Sequence, residues 1–227
     1  MLASTYRLWG KIRLAHLQPW IDEWNLPEIY VGIEGKGAAD AAYSTAIEIE
    51  HCRVAGIKYS GGAADIYMCF DQIRRAIVYE VLKSAGLPSP IAHAYRDFQE
   101  HLMVRNTIAG GLGEPYFKPT SIPQGDPFSM MITSLLLRPS VMQMKSLKVI
   151  PRILADDLQL MTTGRHHLRR FVRGFNTLHQ HLEDLGARLA RTNRLHGHQR
   201  LPPESGWATI GGRRLVAPSR SYQMVKT

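Results

Sequence analysis

The sequence predicts a mixed fold of the α+β or α/β class, in which helices cover a sheet. Segments with strand character alternate with amphipathic segments of helical spacing along the 227 residues. Hydrophobic residues make up 44% of the chain and charged residues 21%, a balance typical of a globular protein. The length is sufficient for one large domain or two small ones.

The first half of the chain predicts four helices and one strand. Helices are expected over 1–18, 38–56, 75–85 and 89–103, and a glycine-rich turn over 32–37. Gly86 and Pro88 are typical of the end of the third helix. The stretch AADIYMCF, residues 63–70, has strand character, so Asp65 is expected at the start of a strand.

The second half predicts a helix, a β-hairpin and a further helix. Asp126 is expected to cap a helix whose first residue is Pro127, and Pro139 is expected to end or kink it. LKVIPRIL and DLQLMT are expected to be two strands joined at residues 155–157. An apolar stripe predicts a helix over 166–189, and a short strand pair is expected within 206–216.

The charge of the chain is concentrated near its end. Of a net charge of +9, the last 76 residues contribute most, with 13 Lys and Arg against 5 Asp and Glu. A polyanionic partner such as nucleic acid fits this pattern, and a solubilising basic tail is the alternative.

Two cysteines give no disulfide framework, and no apolar run is long enough to span a membrane. We expect an intracellular protein, nuclear or cytoplasmic and not secreted.

Two adjacent carboxylates, Asp156 and Asp157, interrupt an apolar run. Aspartate is common in hairpin turns, which is the ordinary explanation for the pair. If the strand that carries Asp65 is a neighbour in the same sheet, three carboxylates can converge there. Carboxylate oxygens are ligands for Mg²⁺, and two such ions form a clamp for phosphoryl displacement. The sequence therefore predicts that a metal offsets the repulsion between the carboxylates.

Three stretches in this order resemble motifs A, B and C of reverse transcriptases, most closely the non-long-terminal-repeat retrotransposon type. ADIYMCFDQI matches motif A, with Asp65 followed by an aromatic residue at Phe70 and by Asp71. SIPQGDPFSM carries the Pro-Gln-Gly of motif B at residues 123–125, and LADDLQL carries the Asp-Asp of motif C. HLEDLGARLA is similar to the motif D region, and the resemblance covers residues 1–190.

The resemblance implies an α+β right-hand polymerase palm, an antiparallel sheet backed by helices, with partial fingers. Residues 1–62 would form the partial fingers, 63–190 the palm, and 191–227 a basic segment at the end of the palm or start of a thumb. The implied activity is RNA-directed DNA synthesis, a nucleotidyl transfer to a primer 3′-hydroxyl. The implied partners are an RNA template, a DNA primer and dNTPs, and the implied cofactor is two Mg²⁺ ions, with Mn²⁺ as an alternative.

The resemblance also assigns roles to residues. Asp65, Asp156 and Asp157 would be catalytic and bind the metals. Phe70 would exclude a 2′-hydroxyl, although a plain core phenylalanine is the alternative. Pro123, Gln124 and Gly125 would lie near the nucleotide, and the alternative for Gly125 is a simple helix-initiating turn.

Three basic residues are candidate nucleic-acid contacts: Lys36, Arg74 and Arg75. Arg74 and Arg75 follow motif A and could contact phosphate, and the alternative is a solvated helix face. Lys36 lies at a glycine-rich helix entry, where backbone amides favour anions.

Four positions depart from the family pattern. Ser121 stands where the family usually has glycine, and Asp126 where cysteine or glycine is common. Leu154 replaces the aromatic residue of motif C, and Asn193 stands near the lysine of motif D, for which Arg191 or Arg194 could substitute. An Arg-Pro-Ile fingers motif and a full thumb are absent from the sequence, so we expect a truncated or fragmentary enzyme with weak activity in isolation.

Three alternatives stay open at this point. An RNA-dependent RNA polymerase shares the palm and an Asp-Asp hairpin, but the Pro-Gln-Gly and Phe70 disfavour it. A catalytically degenerate palm that only binds nucleic acid is favoured by the four departures. An unrelated hydrolase that uses the acids as general acid and base has little support beyond the carboxylates.

Overall fold

The structure, a computed structural model, describes residues 2–33 and 35–189, and the backbone of 213–216 and 223–226. Eight helices lie in these residues: α1 Ser4–His16, α2 Gln18–Trp24, α3 Ala38–Val54, α4 Cys69–Gln72, α5 Arg75–Ser84, α6 Ser89–Glu100, α7 Ser129–Ser146 and α8 His167–Asp184. Ten strands lie there as well: β1 Tyr59–Tyr67, β2 Met103–Val104, β3 Thr107–Ile108, β4 Gly111–Leu112, β5 Tyr116–Phe117, β6 Ile150–Leu154, β7 Asp157–Thr163, β8 Arg188–Leu189, β9 Arg213–Val216 and β10 Gln223–Lys226.

The main sheet is antiparallel and has the strand order β6-β7-β1-β8. One face of this sheet packs against α7 and α8 and carries apolar side chains such as Ile66, Leu158 and Leu160. Because successive side chains of a strand alternate between faces, Asp65 of β1 and Asp157 and Gln159 of β7 lie on the other face. A sheet backed by helices on one side is thus the centre of the fold.

Helix α3 covers part of that other face. The Thr45 hydroxyl donates to the Gln159 side chain on β7 at 2.9 Å, and Arg152 on β6 donates to the Ser44 carbonyl at 3.2 Å. Nearby, Cys52 of α3 forms a small buried cluster with Tyr59 and Met161. These contacts lie toward the start of β1, so the end of β1 that carries Asp65 is not part of this contact.

The N-terminal segments are joined to the sheet. The Tyr30 amide donates to the Ile153 carbonyl and the Ile153 amide donates to the Glu28 carbonyl, both at 2.9 Å, so this segment extends the edge beside β6. The predicted boundary between residues 62 and 63 falls inside β1, which begins at Tyr59. The sheet therefore begins before the predicted palm boundary, and Asp65 lies near the end of its strand rather than at the start.

Helix α7 differs from the prediction at both ends. It begins at Ser129 rather than Pro127, and it continues through Pro139 to Ser146. Most side chains of α7 around Pro139 are buried, including Leu135, Leu136 and Val141. Tertiary packing of a helix outweighs the loss of one backbone hydrogen bond at proline, so of the two predicted effects of Pro139, an end or a kink, the helix end is wrong.

The remaining elements largely follow the sequence. The predicted hairpin is present as β6 and β7, and the helices at the predicted positions are α1, α3, α5, α6 and α8. Strand β9 lies within the predicted 206–216 span, but its partner β10 lies beyond it.

Both cysteines are buried free thiols. Within the described part of the chain, no helix combines the length and hydropathy needed to cross a membrane.

Candidate active site

The three aspartates predicted to form the site lie together at one end of the main sheet. Asp65 on β1 is the direct cross-strand partner of Asp157 on β7. Side chains of directly opposed residues point to the same face of a sheet and lie close together. Asp156 lies in the two-residue turn between β6 and β7, and its carbonyl accepts a hydrogen bond from the Ile66 amide at 3.1 Å. Three aspartates from distant parts of the sequence are thus adjacent at this end of the sheet.

The electrostatics of this end of the sheet are negative. Desolvation of its carboxyl group, followed by the charges of Asp156 and Asp157, raises the pKa of Asp65. Burial, followed by the charges of Asp156 and Asp65, raises the pKa of the nearby Cys69 thiol to about 12. Cys69 therefore stays neutral at physiological pH and adds no charge to the site. A cation bound here would relieve the repulsion among the carboxylates.

The donor chemistry of the site fits a hard divalent cation, because carboxylate oxygens are the ligands that Mg²⁺ takes from proteins. Among the described residues, however, no three His, Cys, Asp or Glu side chains are already arranged around a common metal position. Binding an ion would therefore require rotamer changes of the aspartate side chains. The metal-binding and catalytic roles of these aspartates stay predictions.

Phe70 lies beyond the end of β1, in the short helix α4. Met68, which precedes that helix, has a φ of 44°, in the left-handed region, and turns the chain away from the sheet. The Phe70 side chain is half-buried and packs against the edge of the hydrophobic core. This position is compatible with both alternatives for Phe70, a residue of the hydrophobic core and a residue that faces the nucleotide.

The segment between β5 and α7 holds the Pro-Gln-Gly turn, defined here as residues 121–126. The Ile122 amide donates to the Phe70 carbonyl at 2.7 Å, and the Ser121 amide donates to the Ile73 carbonyl at 3.0 Å. Arg74 and Thr120 form an isolated antiparallel bridge alongside. Motif A and the start of the turn are therefore connected by backbone hydrogen bonds.

The middle of the turn is open. Pro123 is half-buried, and Gln124 and Gly125 are exposed. Gly125 has a φ of 80°, and a Cβ atom built there would meet no atom within 4 Å. Glycine is therefore favoured by the backbone conformation and not by crowding from the protein. The open space beside Gly125 leaves room for a ligand.

Ser121 adopts a backbone conformation that explains why glycine is usual at this position in the resembled family. Its φ is 103°, where a side chain is unfavourable, and the residue is buried. We expect Ser121→Gly to raise the free energy of unfolding by about 1 kcal/mol, because relief of backbone strain exceeds the added entropy of the unfolded chain. Urea unfolding of the two proteins measures this difference, and a less stable glycine variant would contradict it.

The candidate nucleic-acid contacts have different surroundings. The Lys36 ammonium donates to the Pro27 carbonyl at 3.2 Å and lies over the Tyr30 ring, 5.8 Å from its centroid. The Gly37 amide at the entry to α3 donates to the Asp40 carboxylate at 2.8 Å, so this chain's own carboxylate occupies the predicted anion position. Arg74 is exposed. The role of Lys36 and Arg74 in nucleic-acid binding stays a prediction.

Arg75 is not on a solvated helix face, because it is only 6% exposed. Its Nε donates to the Ser121 carbonyl at 3.2 Å, and a terminal nitrogen donates to the Gln99 carbonyl. Arg75 also borders a cavity of about 550 Å³ beside the Pro-Gln-Gly turn, in which Asp71 and Lys118 form an ion pair at 3.1 Å. Contact of Arg75 with nucleic acid stays a prediction.

Asp126 is the residue whose role the sequence analysis missed most clearly. It is 3% exposed, and its carboxylate accepts hydrogen bonds from Tyr6, Gln99 and the Phe128 amide. The carboxylate therefore faces the protein interior. The sequence predicted a helix cap and a departure from the family pattern at Asp126, but not its hydrogen bonds to Tyr6 and Gln99, which lie in distant helices.

Two departures from the family pattern have different outcomes. Leu154 ends β6 opposite Asp157 and is partly buried, so it lies next to the candidate site. Asn193 and its possible substitutes Arg191 and Arg194 lie outside the described residues.

The comparisons with known proteins agree with this architecture. The telomerase of Candida tropicalis, solved in complex with a TWJ fragment of telomeric RNA, aligns with a TM-score of 0.61 and 12% identity over 96% of this chain and 37% of that one. The telomerase of Candida albicans, solved with a TWJ fragment of telomeric RNA, aligns with a TM-score of 0.57 and 13% identity, over 98% of this chain and 38% of that one. No family model and no curated protein matches the sequence. The chain thus has the α+β fold of a polymerase palm and spans less than half the length of the telomerases to which it is similar.

Proposed function

We propose that this chain is an RNA-directed DNA polymerase domain of retrotransposon type, which transfers dNTPs to a primer 3′-hydroxyl in an Mg²⁺-dependent reaction. The observation that carries the proposal is the position of Asp65 directly opposite Asp157, with Asp156 in the adjoining turn. This juxtaposition occurs in a fold shared with telomerases. The order of the three motifs along the chain supports a reverse transcriptase, and Asp71 after motif A supports the retrotransposon type.

In this proposal the uncovered end of the main sheet holds the reacting groups. Asp65, Asp156 and Asp157 would bind the Mg²⁺, which when bound lowers the pKa of an attacking hydroxyl and stabilises charge on the transferred phosphate. Phe70 would lie under the sugar of the incoming nucleotide, and Gln124 and Gly125 would lie beside its base pair. Helix α3 contacts Gln159, two residues further along β7, but Asp65 and Asp157 are exposed, so the aspartate end is available to substrate.

The proposed partners are an RNA template, a DNA primer and dNTPs. The telomerase neighbours were solved with an RNA fragment, and the C-terminal third of this chain is strongly basic. We propose fingers in the N-terminal residues, a palm from Tyr59 to about 190, and a basic segment over 191–227.

Primer extension on an RNA template tests the proposed function. A DNA primer is annealed to the template, and extension is measured with dNTPs or rNTPs, with Mg²⁺ present or removed by a chelator. Mg²⁺-dependent incorporation of dNTPs supports the proposal, and preferred incorporation of rNTPs identifies an RNA polymerase instead.

A degenerate palm that only binds nucleic acid is the second candidate. The absence of a ready metal arrangement among the described side chains and the four departures from the family pattern favour it. Such a protein would bind RNA in a salt-dependent manner and show no Mg²⁺-dependent extension.

Phe70→Ala is expected to lower the preference for dNTPs over rNTPs by about 10- to 100-fold, because a smaller side chain admits the 2′-hydroxyl. The ratio of kcat/KM values for the two nucleotides measures this preference. Phe117→Ala is a matched control, because Phe117 is an exposed aromatic residue on β5. An unchanged ratio in Phe70→Ala would assign Phe70 to the hydrophobic core alone.

A further inference from the structure

A buried polar cluster adjoins the Pro-Gln-Gly turn and is not part of the aspartate site. The Asp126 carboxylate accepts a hydrogen bond from the Tyr6 hydroxyl at 3.1 Å and from the Gln99 amide at 3.0 Å. Its other oxygen accepts from the Phe128 amide at 3.0 Å. A buried carboxylate requires such donors, so α1, α6 and the start of α7 are joined at the C-terminal end of the turn.

The N-terminal end of the turn is held by the same group of residues. The Arg75 guanidinium donates to the Ser121 carbonyl at 3.2 Å and also to the Gln99 carbonyl. Gln99 is 1% exposed. Its backbone carbonyl accepts a hydrogen bond from Arg75, and its side-chain amide donates to Asp126. One buried set of side chains thus reaches both ends of the turn.

Close packing fixes α1 against the residues that follow the turn. A Cβ atom at Gly10 of α1 would lie 2.9 Å from Cγ of Pro127. The Tyr6 ring stacks on Phe98 of α6 with 3.4 Å between centroids, and Trp9 meets Phe128 edge-on. These contacts hold the Tyr6 hydroxyl at the carboxylate, because the helix has no room to move inward.

Between its two ends the turn has little support from the rest of the protein. The Asp126 amide donates to the Pro123 carbonyl at 3.1 Å, which closes the turn on itself. Gln124 and Gly125 are exposed, and no described atom lies within 4 Å of the Cβ position of Gly125. The conformation of these residues therefore depends on how firmly residues 121 and 126 are held.

We propose that Tyr6, Arg75, Gln99 and Asp126, named here the turn cluster, are positioning residues that hold Gln124 and Gly125 in place for an incoming nucleoside triphosphate. This inference rests on the proposed polymerase function, because only that function places a nucleotide at the turn. It assigns to α1, which is far from the carboxylates in sequence, a role in nucleotide affinity. Small displacements of positioning groups cost much in binding, so the contribution is measurable in KM.

The test compares four variants of the full chain. Tyr6→Phe removes one hydroxyl and keeps the stacked ring, and Asp126→Ala removes the centre of the turn cluster. Asp126→Asn is the conservative variant: its carbonyl oxygen still accepts from the Phe128 amide, and its amide can donate to the Gln99 side-chain oxygen, which has no described partner. Tyr79→Phe is the matched control, because the Tyr79 hydroxyl donates to the Glu100 carboxylate at 2.7 Å and does not contact the turn.

Two readouts are combined, and their expected results differ from those of a general loss of stability. Primer extension should show the KM for dNTP raised about tenfold in Asp126→Ala and about threefold in Tyr6→Phe, with kcat changed less and the primer–template Kd unchanged. Asp126→Asn should recover most of the loss, and Tyr79→Phe should match the wild type. Hydrogen exchange should be faster at the amides of Ile122 and Asp126, while the amides of β7 keep their protection.

The outcomes separate this inference from the proposed function. An active wild type whose Tyr6→Phe and Asp126→Ala variants keep the nucleotide KM would overturn the positioning role alone. Faster exchange in the turn with an unchanged KM would also overturn it, because the turn cluster would then be only structural. If Asp126→Ala does not fold, the comparison of Tyr6→Phe with Tyr79→Phe decides. A wild type without any Mg²⁺-dependent extension would remove the proposed function and this inference together.

Discussion

Replacing Asp65 by Asn, or Asp156 or Asp157 by Ala, is expected to lower primer extension by about 1,000-fold or more. A loss of that size corresponds to about 4 kcal/mol of transition-state stabilisation. In the proposed function the three carboxylates together hold the metal ions, and Asp65 lies directly opposite Asp157, so loss of any one carboxylate removes a proposed oxygen ligand. Steady-state extension with dNTPs measures the loss, and the Kd for primer–template is expected to change little.

The same substitutions have a stability signature that does not depend on activity. Because burial, followed by the charges of Asp156 and Asp157, raises the pKa of Asp65, ionisation of this carboxyl in the metal-free protein costs folding energy, and Asp65→Asn relieves that cost. The metal-free variant is therefore expected to melt at the same temperature as the wild type or higher. Mg²⁺ should raise the Tm of the wild type and not of the variant, since an ion bound only to the folded state stabilises it.

Asp184→Asn is the matched control for the aspartate series. Asp184 ends α8, is exposed, and accepts a hydrogen bond from Gln180 at 3.0 Å. Its replacement should leave both extension and the Mg²⁺-dependent Tm shift as in the wild type. If Asp156→Ala and Asp157→Ala both extend primers at the wild-type rate, the catalytic assignment is wrong.

Raising the pH from 4 to 7 is expected to destabilise the wild type by about 2 kcal/mol relative to Asp126→Asn. Burial is the main reason that the pKa of Asp126 is raised to about 6 from its usual 3.8, and hydrogen bonds from Phe128, Tyr6 and Gln99 offset it only in part. The folded state therefore binds this proton more tightly than the unfolded state does. That stability is fully present below about pH 3.8 and is lost as the pH rises through about 6. Over the whole titration, the difference of about 2 pKa units between the folded and unfolded states corresponds to about 3 kcal/mol of unfolding free energy.

The groups around Asp126 do not titrate in this interval. Burial raises the pKa values of Tyr6 and Tyr95 above 10, so both phenols stay neutral. Urea unfolding of both proteins between pH 4 and 7 therefore isolates the carboxylate at residue 126. Parallel pH profiles for the wild type and Asp126→Asn would show that this group has the same pKa in the folded and unfolded states.

The elements with strong local signals were predicted from the sequence. The amphipathic helices α5 and α8 have clear apolar periodicity, and the β6–β7 hairpin has a turn signal between two apolar runs. The order of the motifs also predicted that Asp65 and the Asp-Asp pair would meet, since both belong to strands of one sheet. These features depend on spacing along the chain, which a sequence displays directly.

The features that the sequence did not reveal depend on contacts between distant segments. Pro139 is tolerated because the surrounding core buries α7, and Asp126 is buried because α1 and α6 supply its hydrogen-bond donors. Ser121 is unusual only because of its φ of 103°, which the sequence pattern could suggest but not explain.

The sequence by itself determined which residues carry the acidic site and which segments become helices and strands, because periodicity, turn chemistry and motif order are local properties. The tertiary structure alone decided which face of the sheet α3 covers, and which charged residues point inward, as Arg75 and Asp126 do. The physical reason is that burial and hydrogen bonding depend on neighbours that are near in space and far apart in sequence. Asp126 would be solvated, with an ordinary pKa, if those neighbours were elsewhere.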